Sequence, residues 1–124
     1  MNWLPALYAF IFSLLLLHEM DAIRAKEWKM FIILKDMEEQ TGYLVFSLVH
    51  LSLYFWVIFT VSQIWSGGYA FVYILTDIFL IGHAVIHYFF RKHAANGFTS
   101  VYSNILIYSM AVLSVIHLFL LFSI

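Results

Sequence analysis

The chain has 124 residues, 65% of them hydrophobic, only 10% charged, with a formal net charge of −1. A soluble domain is about half apolar and about a quarter charged, so this composition is that of an integral membrane protein. The near-zero charge leaves no nucleic-acid footprint, and the absence of cysteine excludes disulfides, thiolate metal sites and cysteine nucleophiles.

A spanning helix needs ~20 mostly apolar residues, and four segments qualify. The first runs from about Trp3 to Ile23, with Pro5 in its first turn, where proline is tolerated. It is not read as a cleaved signal peptide. Met1-Asn2 supplies no basic region, and the junction that follows lacks a small-residue cleavage site. The second span runs over 43–65, the third over 69–90 and the fourth over 98–122, with Ser66-Gly67-Gly68 as a tight turn. The expected fold is therefore all-α, a single transmembrane domain of four helices.

The connection between the first two spans is the only long one. Met30, Ile33, Leu34 and Met37 recur at helical spacing among Lys26, Lys29, Lys35 and Asp36. This predicts a short helix lying in the membrane interface, with Trp28 at headgroup level. The alternative is an extension of the first helix into water. All six basic residues (Arg24, Lys26, Lys29, Lys35, Arg91, Lys92) fall in the first and third connections. The positive-inside rule then places those connections in the cytoplasm and both termini outside, in a bacterial inner membrane.

The stretch with the most chemistry is Leu17-His18-Glu19-Met20-Asp21, where an apolar run meets a histidine and two carboxylates without any helix breaker. Ionisable groups at this depth are costly unless paired, hydrated or bound to something. At ~1.5 Å per residue, Asp21 lies ~5 Å, His18 ~9 Å, His50 ~10 Å, His87 ~6 Å, His83 ~12 Å and Asn104 ~9 Å from the cytoplasmic helix ends. All four helices thus bring a polar residue to one layer. His83 and His87 share a helix face, as do His18 and Asp21. His-x-x-x-His on a helix suits two-point coordination of zinc or iron.

The predicted metal ligands are His18, His50, His83, His87 and Asp21, with Asp21 or Glu19 as general base. Zinc is favoured over iron, because the many-histidine boxes of membrane desaturases are missing. Taken singly, each residue also has a purely structural reading as an interhelical hydrogen-bonding group. Glu27 reads as an interfacial ion pair with Arg24 or Lys26, His93 as a solvated loop residue, and His117 as structural. Asp77, the deepest charge, needs a partner such as Tyr54, Ser109 or His117.

The His18-Glu19-Met20-Asp21 junction, the short four-span layout and the later histidines resemble small bacterial membrane proteins of uncharacterised activity named for a His-x-x-Glu-Glu motif. Asp21-Ala22 replaces the paired glutamates here. The chemistry, though not the fold, is similar to that of intramembrane zinc hydrolases such as alkaline ceramidases, with His50, His83, His87 and Asp21 as the comparable set. Three functions follow as expectations. The first is a metal-dependent hydrolase or oxidase acting on a lipidic substrate. The second is a non-catalytic module, either a proton-coupled carrier or a subunit of a larger complex, with homo-oligomers as one form. The third is a b-type haem protein ligated by two facing histidines.

Overall fold

In a computed structural model, residues 3–65 and 70–123 are described. Four helices form: α1 (Leu4–Arg24), α2 (Glu39–Trp65), α3 (Ala70–Phe90) and α4 (Val101–Ser123). All four are long and apolar enough to cross a membrane, and no strand occurs among the described residues. The expected Ser66-Gly67-Gly68 turn and the start of the third span at Tyr69 lie outside the described residues.

Helix boundaries follow local chemistry. Pro5 sits in the first turn of α1, where its missing N–H is not needed. Helix α4 starts at Val101 rather than at Phe98 because Ser100 caps it: its Oγ accepts from the Ser103 N–H at 3.0 Å. Helix α2 begins at Glu39, four residues before the apolar run.

Helix α4 packs against both α1 and α3, and α2 stands at the edge against α1. Only 11% of the α2 membrane-length window is buried, against 44% for α1, so most of α2 faces outward. One apolar cluster gathers Tyr8, Ile11, Phe12, Leu15, Leu80 and Met110. A second gathers Ala22, Trp28, Phe46, Ala84, Phe98 and Ile107. His18, between Leu15 and Ala22 along α1, lies in the polar layer separating them.

The long connection departs from expectation. In place of an interfacial helix there is one 3-10 turn, η1 (Glu27–Met30), followed by turns through residue 36. Ile32 and Ile33 are both 81% exposed, while Trp28 is buried. Its indole lies over Gly42, where an added Cβ would stand 2.8 Å from Cδ1. The two basic connections meet at one end of the bundle. Gly97 approaches Ala25 so closely that a Cβ there would lie 2.8 Å from the Ala25 carbonyl.

Candidate metal centre

Three residues of α1 point in three directions. Successive residues are ~100° apart on a helix, so Glu19 is ~100° from His18 one way and Asp21 ~60° the other. That spread suffices to aim each at a different element. Asp21 turns to α4, where its Oδ2 accepts from Ser103 Oγ at 2.5 Å and its Oδ1 from Arg24 Nε at 2.7 Å. Glu19 turns to α2, where its Oε2 lies 2.6 Å from His50 Nε2. His18 turns to α3.

On α3, His83 and His87 are one turn apart and receive it. The Nε2 atoms of His18 and His83 are 2.9 Å apart, and those of His83 and His87 are 3.1 Å apart. Glu27 closes the group, its Oε1 3.0 Å from His87 Nε2. One ligand atom from each of His18, Glu27, His83 and His87 lies within 4.8 Å of the others, so this group could hold a metal ion. His18, Glu27 and His87 are buried and His83 is partly buried.

The proton count of the cluster is unusual. A ring nitrogen offers one in-plane position, either a lone pair or an N–H. His83 Nε2 faces both His18 and His87, and His87 Nε2 faces both His83 and Glu27. Protons can therefore satisfy at most two of the three contacts. A cation at the centre satisfies all four atoms at once, and imidazole nitrogen with carboxylate oxygen suits borderline divalent metals. His18 Nε2 is turned inward, and its Nδ1 is buried with no hydrogen-bond partner among the described residues.

Glu27 reaches the cluster because of Lys26. Lys26 is the one non-glycine residue with positive φ among those described, at φ 51° and ψ 53°. This left-handed residue ends α1 and folds η1 back beneath α3. Glu27 is therefore not the expected partner of Arg24 or Lys26. Arg24 pairs with Asp21, and Lys26 pairs with Glu39. Burial works to raise the Glu27 carboxyl, but the His87 hydrogen bond and the pull of His83, His87 and His18 outweigh it and hold it below the ordinary glutamate value. The sequence signal for Glu27 was its place at the same helix-end layer as His87; the left-handed turn that joins them carries no glycine or asparagine to announce it.

The structure thus brings His18, His83 and His87 together and holds His50 and Asp21 elsewhere. His50 is tied at both nitrogens, with Nδ1 2.6 Å from the Phe46 carbonyl. A carbonyl only accepts, so Nδ1 carries a proton, while Nε2 faces the Glu19 carboxylate. Asn104 serves the start of α4, donating to the Ser100 carbonyl at 2.8 Å. His93 stays in its loop, exposed, accepting from the Ala95 N–H. In the other half of the bundle Asp77 meets His117 of α4, Oδ2 to Nδ1 at 2.6 Å, both fully buried. Haem gains no support. Axial histidines stand on opposite sides of a macrocycle, and Nε2 atoms 2.9 and 3.1 Å apart leave no room for one.

No curated protein and no solved structure matches the chain, and the resemblance to the His-x-x-Glu-Glu proteins is not confirmed. A family model does match: residues 4–124 fit DUF6713, a family of unknown function, and the chain belongs to that family.

Proposed function

We propose that this chain is an intramembrane metalloprotein that binds one divalent ion, preferably zinc, through His18, Glu27, His83 and His87, and acts on a lipidic substrate. The observation that carries the reading is the meeting of three Nε2 atoms and one carboxylate oxygen, drawn from α1, η1 and α3, with contacts that protons alone cannot satisfy. Relative to the residues expected from sequence, Glu27 takes the ligand place of His50 and Asp21. Glu19 with His50 stands beside the centre as a paired carboxylate and imidazole. Asp21 locks α1 to α4.

Bound zinc would supply Lewis acidity and a water of pKa about 7. Four protein ligands are the complement of a closed zinc site, so such chemistry at His18, Glu27, His83 and His87 would require one of them to give way to water or substrate. The protein contributes a dry site in which the carboxylate offsets one of the two positive charges. The basic connections at the bundle end nearest the centre support a cytoplasmic location for that end, with both termini outside. The outward-facing α2 supports a second reading, a non-catalytic subunit of a larger membrane assembly.

The test is elemental analysis of protein purified after growth in metal-replete medium. Wild type should carry one equivalent of zinc. His18→Ala, His83→Ala and His87→Ala should each abolish it, while His93→Ala and His117→Ala should retain it. A wild type without metal would overturn the reading in favour of the subunit.

A further inference from the structure

Two cavities meet at His50, outside the four-ligand cluster. A cleft of about 470 Å³ lies between α2 and α3, walled by Val49, Leu53, Trp56, Leu75 and Phe79, with His50 the one ionisable side chain among the described residues of its lining. Val49, Leu75 and Phe79 are exposed on its rim, so in a bilayer the cleft opens to hydrocarbon. Its size falls in the ~300–1,000 Å³ range of small-molecule sites. A second cavity of about 170 Å³ shares His50 and is lined by Glu19, Tyr43, Ser47 and Tyr54 among others. Ser47 Oγ is buried there with no hydrogen-bond partner among the described residues. A buried hydroxyl without a partner is costly in an apolar medium.

We propose that the two cavities form one site for a membrane amphiphile. A long alkyl or acyl chain lies in the α2–α3 cleft, and a hydroxyl, ester or amide head meets Ser47, Glu19 and His50. This names the substrate class of the centre and rests on the reading of that centre as acting on a lipid. The division of chemistry fits such a molecule: apolar walls on one side of His50, hydroxyls and a carboxylate on the other. The cleft also adjoins the metal ligands. Phe79 walls it and stacks on the His83 ring, centroids 5.9 Å apart, and Glu19 follows His18 in the chain.

The probe is a long-chain alcohol carrying a diazirine, photoactivated in proteoliposomes of phosphatidylethanolamine and phosphatidylglycerol, with labelled residues located by mass spectrometry. Saturable labelling of Leu53, Trp56 and Leu75, displaced by excess unlabelled alcohol, is expected. Ser52→Trp and Val49→Trp fill the cleft from exposed positions. Each should cut displaceable labelling about tenfold with metal content and elution volume unchanged, whereas Phe55→Trp, on the neighbouring exposed face, should not. Labelling spread evenly over Leu51, Phe55 and Ile58 and not displaced would overturn the proposal, leaving only bulk lipid in the cleft. Displaceable labelling that survives in metal-free His83→Ala supports the amphiphile site independently of the metal. Displaceable labelling of a wild type that carries no zinc would keep this site and remove the metal reading.

Discussion

Replacing Glu27 by glutamine removes the one charge among the four ligands and almost nothing else. The side chain keeps its length, and one oxygen remains. Glu27 Oε1 lies 3.0 Å from its nearest ligand neighbour. An ion seated among the four atoms would stand closer to Oε1 than that, so the attraction between opposite unit charges about 3 Å apart, about 5.5 kcal/mol at an effective dielectric of about 20, is a lower bound. Desolvation of the buried carboxylate returns several kcal/mol of this, leaving a net of about 1.5–3 kcal/mol, or about 10–100-fold in metal affinity. That range matches what loss of a metal-supporting group commonly costs. The assay is competition between detergent-solubilised protein and a zinc-binding dye, with Glu39→Gln as the charge-matched control at the same end of the bundle. Glu27→Gln should bind about 10–100-fold more weakly and Glu39→Gln as wild type. Equal zinc affinity for Glu27→Gln and wild type would refute the assignment of Glu27 as a ligand.

The left-handed Lys26 predicts that Lys26→Gly keeps zinc, whereas the β-branched Lys26→Val, which resists positive φ, lowers zinc content in the same dye assay. Gly42→Ala would place a Cβ 2.8 Å from the Trp28 indole, displacing η1, and should weaken zinc binding without touching a ligand. Asp77→Leu leaves His117 buried without its partner and should cost about 1–3 kcal/mol in detergent unfolding, while Asp77→Asn should stay near the ~0.6 kcal/mol of an ordinary membrane hydrogen bond; equal stability of the two would show that the pair contributes no specific interaction. In this cysteine-free chain, single cysteines at Lys29 and Gly68 should label from opposite sides of the membrane, and labelling from one side would refute four spans.

The four helices were legible because ~20-residue apolar runs have few other solutions in lipid. The layer of polar residues was legible too, since depth depends only on rise per residue. Its partition was not. Depth alone makes His18, Asp21, His50 and His83 appear to belong to one site, but azimuth and the positions of neighbouring helices decide which side chains meet. Glu27 was missed for a different reason: a single left-handed lysine, not a pattern, turns it inward. The connection around it misled as well. Met30 and Leu34 do pack inward, as an amphipathic helix would place them, yet η1 ends after one turn, with Trp28 over Gly42 and Glu27 against His87.

The polar groups of this bundle differ in whether they are complete. Asp21 has a donor at each oxygen, one from an arginine, and needs nothing further. His50 has an oxygen at each nitrogen, the Phe46 carbonyl at Nδ1 and the Glu19 carboxylate at Nε2. Both are closed arrangements of the kind that polar residues adopt when lipid leaves no alternative. The His18–His83–His87–Glu27 group is different. It gathers four atoms that accept when unprotonated, and no placement of protons satisfies its three contacts. Adding protons until each ring is cationic would stack like charges within 3.1 Å of one another, a worse outcome in a low-dielectric layer. A divalent cation supplies the missing positive charge at one point and turns every repulsive lone-pair contact into a bond. Asp77 and His117 differ again: one proton serves their single contact, while Asp77 Oδ1 and His117 Nε2 stay buried without a partner among the described residues. The case for a metal at the His18–His83–His87–Glu27 group therefore rests on donor and acceptor arithmetic, and histidine content alone does not make it.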